Sequence, residues 1–223
     1  MTLQEIGYLV LETIREGNIV DDERLDMRLI YQWIHSKRAQ FMKRARSTNP
    51  NNRLNHNLYQ TFTTDVTITD VTAAGNYPYA DATTQSYKIV ISDKTIPPIL
   101  EDKSGPVILS IESEDLMKLP FSIVSFDQMK VAGNGRFNSS IIFTSYRDNK
   151  LYFTDNDFFD TYDTVIIRAI FEDPTDVGDF TETSEYPITQ DLVEDIKNAV
   201  YDIDAKVFMG SNSDEVNDAS GDI

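Results

Sequence analysis

The stretch Leu58-Tyr-Gln-Thr-Phe-Thr-Thr-Asp-Val-Thr-Ile-Thr-Asp-Val71 decides the fold, because it breaks with the helical spacing that precedes it. Its Thr and β-branched residues and its partial apolar–polar alternation are those of a strand with one buried face. Toward the C-terminus, Tyr87–Ser92, Pro106–Ile111, Phe121–Phe126, Ser140–Tyr146 and Leu151–Thr154 read as further short strands. Turn signals at Ala73–Asn76 and Gly133-Asn-Gly135 separate them. Pro97-Pro98 restricts its segment to an edge or a loop, since proline brings no N–H to a ladder. Arg147-Asp-Asn-Lys150 joins two of the strands as a hairpin. Tyr162-Asp-Thr-Val-Ile-Ile-Arg-Ala-Ile-Phe171 is the strongest strand, and its Val165-Ile-Ile167 run predicts burial on both faces.

Toward the N-terminus the period changes to that of a helix. Thr2 and Glu5 form a capping-box pattern, and Leu3, Ile6, Leu9, Val10 and Ile14 keep 3.6-residue spacing. A helix is predicted over 2–16, stopped by Gly17-Asn18. A second helix opens near Asp21, Asp22 and Glu23, whose charges suit its positive end. Leu29, Ile30, Trp33, Ile34 and Phe41 form its apolar stripe, with the Lys37 stem laid along it. Lys43, Arg44 and Arg46 fall in the last turn, and Thr48–Asn52 ends the helix. A linker of about five residues predicts an antiparallel helical hairpin. A last helix starts after Pro187 with Thr189 as its cap. Its apolar positions are Ile188, Leu192, Val193, Ile196, Val200, Ile203 and Val207. Ala199, Val200 and Ile203 are expected to pack on the first two helices.

Strands grouped between helices predict an α+β fold: an N-terminal helical hairpin and a C-terminal helix packed with a central antiparallel β-sandwich or barrel-like domain. The expected parts are the helical hairpin (1–53), the β-rich domain (54–186), the C-terminal helix (187–209) and a flexible acidic tail (210–223). Their total of 223 residues suits one domain with an appendage better than two full domains. Leu, Ile, Val and Phe make 61 of these residues, enough apolar mass for a folded core despite the charge.

Composition removes several chemistries. The absence of Cys excludes disulfides, thiolate zinc sites and a Cys nucleophile, and points to a reducing, intracellular compartment. Two His residues, His35 and His56, make a zinc hydrolase or a His-based triad a poor expectation. No apolar run is long enough to span a membrane, and Glu5 and Glu12 without a basic start do not read as a signal peptide. Neither an enzyme nor a cofactor is expected. Formal charge is −17, unevenly placed: residues 1–60 are net +2 and residues 61–223 net −19. Such acidity repels phosphate and argues against wrapping nucleic acid tightly, though not against DNA passing nearby.

Two clusters stand out. Asp155-Asn-Asp157-Phe-Phe-Asp160-Thr-Tyr-Asp163 is the densest in carboxylates, but it lacks the central Gly and the closing Glu of a helix-loop-helix calcium loop. It reads as a solvated acidic loop, with a calcium- or carbohydrate-binding β-domain as the rival. Lys37, Arg38, Lys43, Arg44, Arg46 and Arg53 form the one positive island. It reads as a solvated helix end, as a dock for an acidic partner or DNA phosphate, or as a face that pairs with the acidic face of a neighbouring copy. The third reading is preferred, because complementary, non-identical surfaces generate head-to-tail rings.

The order of parts carries a resemblance. A basic-ended helix pair, a β-rich middle, the strand running into Ile170-Phe-Glu-Asp-Pro174, Tyr186-Pro-Ile188 opening a last helix and an Asn217-Asp218-Ala tail resemble the head-to-tail connector proteins of short-tailed bacteriophages. Among them the chain is most similar to the ring, or tail-adaptor, proteins of crAss-like phages. The resemblance implies a virion structural protein assembled in the bacterial host cytoplasm. It implies a ring, commonly of twelve copies, that binds the portal protein and downstream tail rings and lines the DNA exit channel, through which genomic DNA passes without specific binding. A later tail-barrel ring or a capsid accessory protein is the alternative. The expected subunit and portal interface is the basic island together with Val207, Phe208, Asp214 and Asp218 of the tail, which would order on docking.

Overall fold

Helices begin where short polar side chains satisfy the first free N–H groups. In a computed structural model describing residues 1–15, 25–48, 54–70, 88–114, 121–129, 141–154, 164–178 and 180–205, the Thr2–Glu5 box forms as the sequence predicts. The Thr2 N–H donates to Glu5 Oε2 at 2.9 Å and the Glu5 N–H to Thr2 Oγ1 at 3.1 Å. Helix α1 follows over Leu3–Arg15. Helix α2, Met27–Thr48, starts later than the sequence suggests. Its cap is Asp26, whose Oδ1 accepts from the Arg28 N–H at 3.0 Å, so the acids at 21–23 are not its first turn. Gly17-Asn18 lies outside the described residues.

The chain divides into two compact units, residues 1–58 with 172–223 and residues 59–171. In the first, Leu3, Ile6, Val10, Leu11 and Ile14 of α1 share a core with Ile30 and Ile34 of α2. Tyr186 and the last helix, through Val193, Ile196 and Val200, complete it. The α1–α2 approach is close enough that a Cβ on Gly7 would stand 2.7 Å from Tyr31 Cε1. Residues 172–186, placed with the strands on sequence grounds, bond here to α1. The Gln4 N–H donates to the Glu182 carbonyl at 3.2 Å, and the Tyr186 N–H to the Met1 carbonyl at 2.9 Å.

The last helix is α3 (Gln190–Ala199), continued as a π-helical turn over Val200–Ala205. Thr189 holds the cap position, but its backbone carbonyl, not its side chain, makes the capping bond, to the Leu192 N–H at 3.0 Å. The wider π turn slips the apolar register. Val200 is fully buried while Ile203, expected to pack inward, is 55% exposed.

The second unit is one seven-stranded sheet curled nearly into a barrel. Its strands are β1 (Gln60–Asp70), β2 (Lys88–Ser92), β5 (Ile108–Ser113), β6 (Ser122–Ile123), β7 (Phe143–Arg147), β8 (Lys150–Phe153) and β9 (Thr164–Ala169). They lie in the order β5-β9-β1-β2-β8-β7-β6. A small hairpin of β3 (Glu101–Asp102) and β4 (Gly105–Pro106) stands apart. Pairing is antiparallel except for β6 with β7, so the sheet is mixed. The long strand β1 pairs with β9 through Gln60–Asp65 and with β2 through Val66–Asp70, and so links the two halves of the sheet. The sheet's edges approach where the Phe121 N–H, just before β6, donates to the Ile111 carbonyl of β5 at 2.9 Å. The barrel-like alternative of the sequence reading therefore applies, and the two-layer sandwich does not.

Asp148 and Asn149 turn β7 into β8 with φ of 52° and 58°, the left-handed values that a two-residue hairpin demands. Strand β9 is central but not buried on both faces as its apolar run predicts. Val165, Ile167 and Ala169 point inward, while Thr164 and Ile166 are half-buried and Arg168 is exposed. Alternation wins because a barrel wall has one inside. Gly133-Asn-Gly135 and Asp155–Asp163 lie outside the described residues.

Candidate interaction surface and the node behind it

The basic island does not stay together as one surface. Arg38 lies inside the helical unit, fully buried, and Lys37 is 6% exposed. Lys43 and Arg44 are exposed and Arg46 is half-buried. Arg53, Val207, Phe208, Asp214 and Asp218 lie outside the described residues. The sequence signal that groups six cations is thus divided by the helix: positions 37 and 38 turn inward, and 43 and 44 outward.

Arg38 is held by geometry that suits a guanidinium fork. Its Nε donates to the Pro187 carbonyl at 2.9 Å, with a longer contact from Nη2 to the Leu58 carbonyl at 3.5 Å. The guanidinium also stands 5.6 Å from the Tyr186 ring centre. Burial pulls its pKa down, and Tyr186 and Asp173 oppose that shift. It stays charged, because a guanidinium does not lose its proton in proteins.

One turn of α2 earlier, His35 meets the same ring from its edge. His35 Nδ1 lies 2.8 Å from the Tyr186 hydroxyl, and Nε2 lies 3.8 Å from Asp173 Oδ1. Burial lowers the His35 pKa, Arg38 adds to this, and Asp173 and Asp176 oppose it. Burial raises the Tyr186 pKa strongly, so the group is a phenol and donates. A neutral imidazole that accepts at Nδ1 and turns its Nε2–H toward Asp173 satisfies both neighbours. His35 is largely covered in this position: only 12% of its side chain is exposed. Asp173 is itself fixed as the cap of the 3-10 turn Pro174–Asp176, accepting from the Thr175 N–H at 2.8 Å and the Thr175 hydroxyl at 2.7 Å.

Beside this node a shallow hollow of about 340 Å³ opens between α2 and the Glu172–Asp173 segment. Lys43 spans its rim to Glu172 at 3.1 Å, with both side chains nearly half exposed. Among the described residues no group of three or more His, Asp or Glu side chains is placed to hold a metal ion. No described helix is long and apolar enough to cross a membrane.

Spacing rules alone did not single out Asp173, Tyr186 and Pro187. Their only sequence signal is the pair of motifs Ile170–Pro174 and Tyr186–Ile188, which also carry the resemblance to ring proteins. Within those motifs, Glu172, Asp173, Tyr186 and Pro187 meet α2.

Comparison with known proteins bears on the whole chain. No curated protein matches it. A family model described as phage tail ring protein 2, of the crAss type, matches residues 5–223. With that match running through both units and both motifs, the chain belongs to the crAss-like phage tail ring protein 2 family, a family of structural virion components.

Proposed function

We propose that the chain is a connector subunit: copies close into a ring between the portal protein and the next tail rings, and the genome leaves through the bore. The observation that carries this reading is the family match over residues 5–223. The net charge of −17 supports an acidic bore, which lets a polyanion slide and gives it nothing to hold. The exposed cations at the end of α2 form a face of opposite sign to most of the chain, as head-to-tail closure needs. The role is structural, with no cofactor. The copy number we propose is twelve, and the segment from Val207 onward docks on the portal.

The test is electron microscopy and native mass measurement of the purified chain mixed with its portal. A twelve-copy ring seated on the portal is the expected result, and a chain that stays monomeric and ignores the portal sinks the reading. Reversing Arg44 to Glu should impair assembly and leave the fold, with a stability change under about 0.5 kcal/mol because the side chain is exposed, and reversing the half-buried Arg46 as well should block assembly. A second reading, a ring further along the tail, is favoured by the family's description as a tail ring. The position of the chain in a map of the whole virion separates the two.

A further inference from the structure

Helix α1 shows an unusual outer face. Its inner side buries Leu3, Ile6, Val10 and Ile14. Its outer side carries Glu5, Tyr8, Leu9 and Glu12, spaced i, i+3, i+4 and i+7 and so neighbours on one stripe. Tyr8 is 56% and Leu9 37% exposed. A single exposed apolar side chain is ordinary. An exposed tyrosine and leucine bracketed by two carboxylates make a patch with an apolar centre and an acidic rim, the anatomy of an interface.

The C-terminal end of α2 shows the opposite. Gln40, Lys43, Arg44 and Ser47 are exposed on one stripe, with Phe41 half-buried beside them. The Arg44 guanidinium stands 6.0 Å from the Phe41 ring centre and pairs with no acid among the described residues. Lys43 is already engaged by Glu172 of the same chain. Arg44 is therefore the cation on offer, mounted on an aromatic base.

The two patches are separate. The contact of Gly7 with Met27 and Tyr31 sets the middle of α1 against the first turns of α2. Arg44 lies thirteen positions beyond Tyr31, about 20 Å farther along the helix at 1.5 Å per residue.

We propose that the outer face of α1 in one copy docks on the C-terminal end of α2 in a second copy of this chain. The inference rests on the ring reading and names its contact. The Tyr8 ring receives the Arg44 guanidinium, and Glu5 and Glu12 neutralise the cations around it. Because the surfaces differ, each copy keeps one face free for the next, and the contact propagates until the ring closes. The occupant is a second copy because the matching partner patch, of opposite charge and like aromatic character, is on the chain itself.

The absence of native Cys makes the test clean. Virions are produced with the chain carrying Leu9→Cys and Gln40→Cys together, or either alone, and treated with a short thiol-reactive cross-linker. The double variant should give a ladder of dimers, trimers and larger species, and each single variant only monomers. Copies present in the tail without a ladder overturn the contact and leave the ring reading standing. Dimers from Leu9→Cys alone mean that α1 meets its own copy, and a link from Leu9→Cys to another tail protein assigns the face to that partner; both overturn the contact. A chain missing from the tail altogether removes the ring reading and this contact with it. Charge reversal is the independent check. Glu12→Arg and Arg44→Glu should each reduce incorporation about tenfold, and the two in one chain should restore it. No restoration counts against the pairing.

Discussion

The helical unit and the β unit are held by different devices. In the helical unit, segments far apart in sequence must meet: His35 and Tyr186 are 151 positions apart, and Arg38 and Pro187 are 149 apart. Apolar faces supply the drive but no direction, since burial of oily surface is non-directional. Arg38 and His35 add direction by engaging Tyr186, the Pro187 carbonyl and Asp173 at set distances. The β unit needs no such clamp. Its ladders are directional already, and the buried hydroxyls of Ser92 and Thr64 are tied to backbone. Ser92 Oγ accepts from the Leu151 N–H at 3.1 Å, and Thr64 Oγ1 accepts from the Lys94 N–H at 3.2 Å. The lesson is that a noncontiguous helical core carries its specificity in a few polar side chains, and a sheet carries it in backbone pairing.

The comparison breaks most easily at Arg38. Arg38→Ala opens a cavity and orphans the Pro187 carbonyl, so it should destabilise the helical unit by about 3–5 kcal/mol. Trp33 is the only tryptophan and packs on that core, so its fluorescence during urea unfolding reads the change. Arg38→Lys keeps the charge but not the fork, and should recover only part of the loss. If Arg38→Ala leaves the midpoint unmoved, the clamp is not what holds the helices.

The matching test in the β unit is Leu151→Ala, at a fully buried position of β8. It should cost about 3 kcal/mol by cavity formation alone, with no polar group orphaned. Hydrogen exchange at β2 and β8 is the readout. If the Trp33 signal shifts by the same amount, the two units melt as one and the contrast has no energetic meaning.

Smaller effects sharpen the picture. Thr2→Ala removes the bond that the Glu5 N–H makes to the Thr2 hydroxyl, keeps the backbone N–H of residue 2 that reaches Glu5, and should cost about 1 kcal/mol. The node also makes stability depend on pH. With its folded pKa held below the ordinary 6.5, His35 takes up a proton more readily when unfolded. The helical unit should therefore be at full strength above about pH 6.5 and weaken as pH falls toward the folded pKa. His35→Gln should flatten that part of the Trp33-monitored profile, and an unchanged profile would rule out His35 as its source. The smallest effect belongs to the rim. Lys43→Ala breaks a half-exposed pair with Glu172 and should change stability by less than about 0.5 kcal/mol, since solvent screens it.

Much of the fold is legible in the sequence because it depends on local pattern. The Thr2–Glu5 box, the apolar spacing of α1, the Thr-rich strand at Gln60–Asp70 and the Asp148-Asn149 turn are short-range choices made by caps, period and φ preference. Tertiary structure decided the rest. It put Arg38 inside and Arg44 outside on one helix, although composition treats them alike, because only the folded chain brings the Pro187 carbonyl and the Tyr186 ring within reach of the guanidinium. It gave β9 one buried face where its apolar run suggested two, because the curled sheet has a single interior. It turned Ile203 to solvent, because a π turn shifts register in a way that residue spacing does not announce. Pattern specifies which surface of each element seeks cover; the partner that covers it, and which charge stays exposed for another molecule, are set only when distant segments meet.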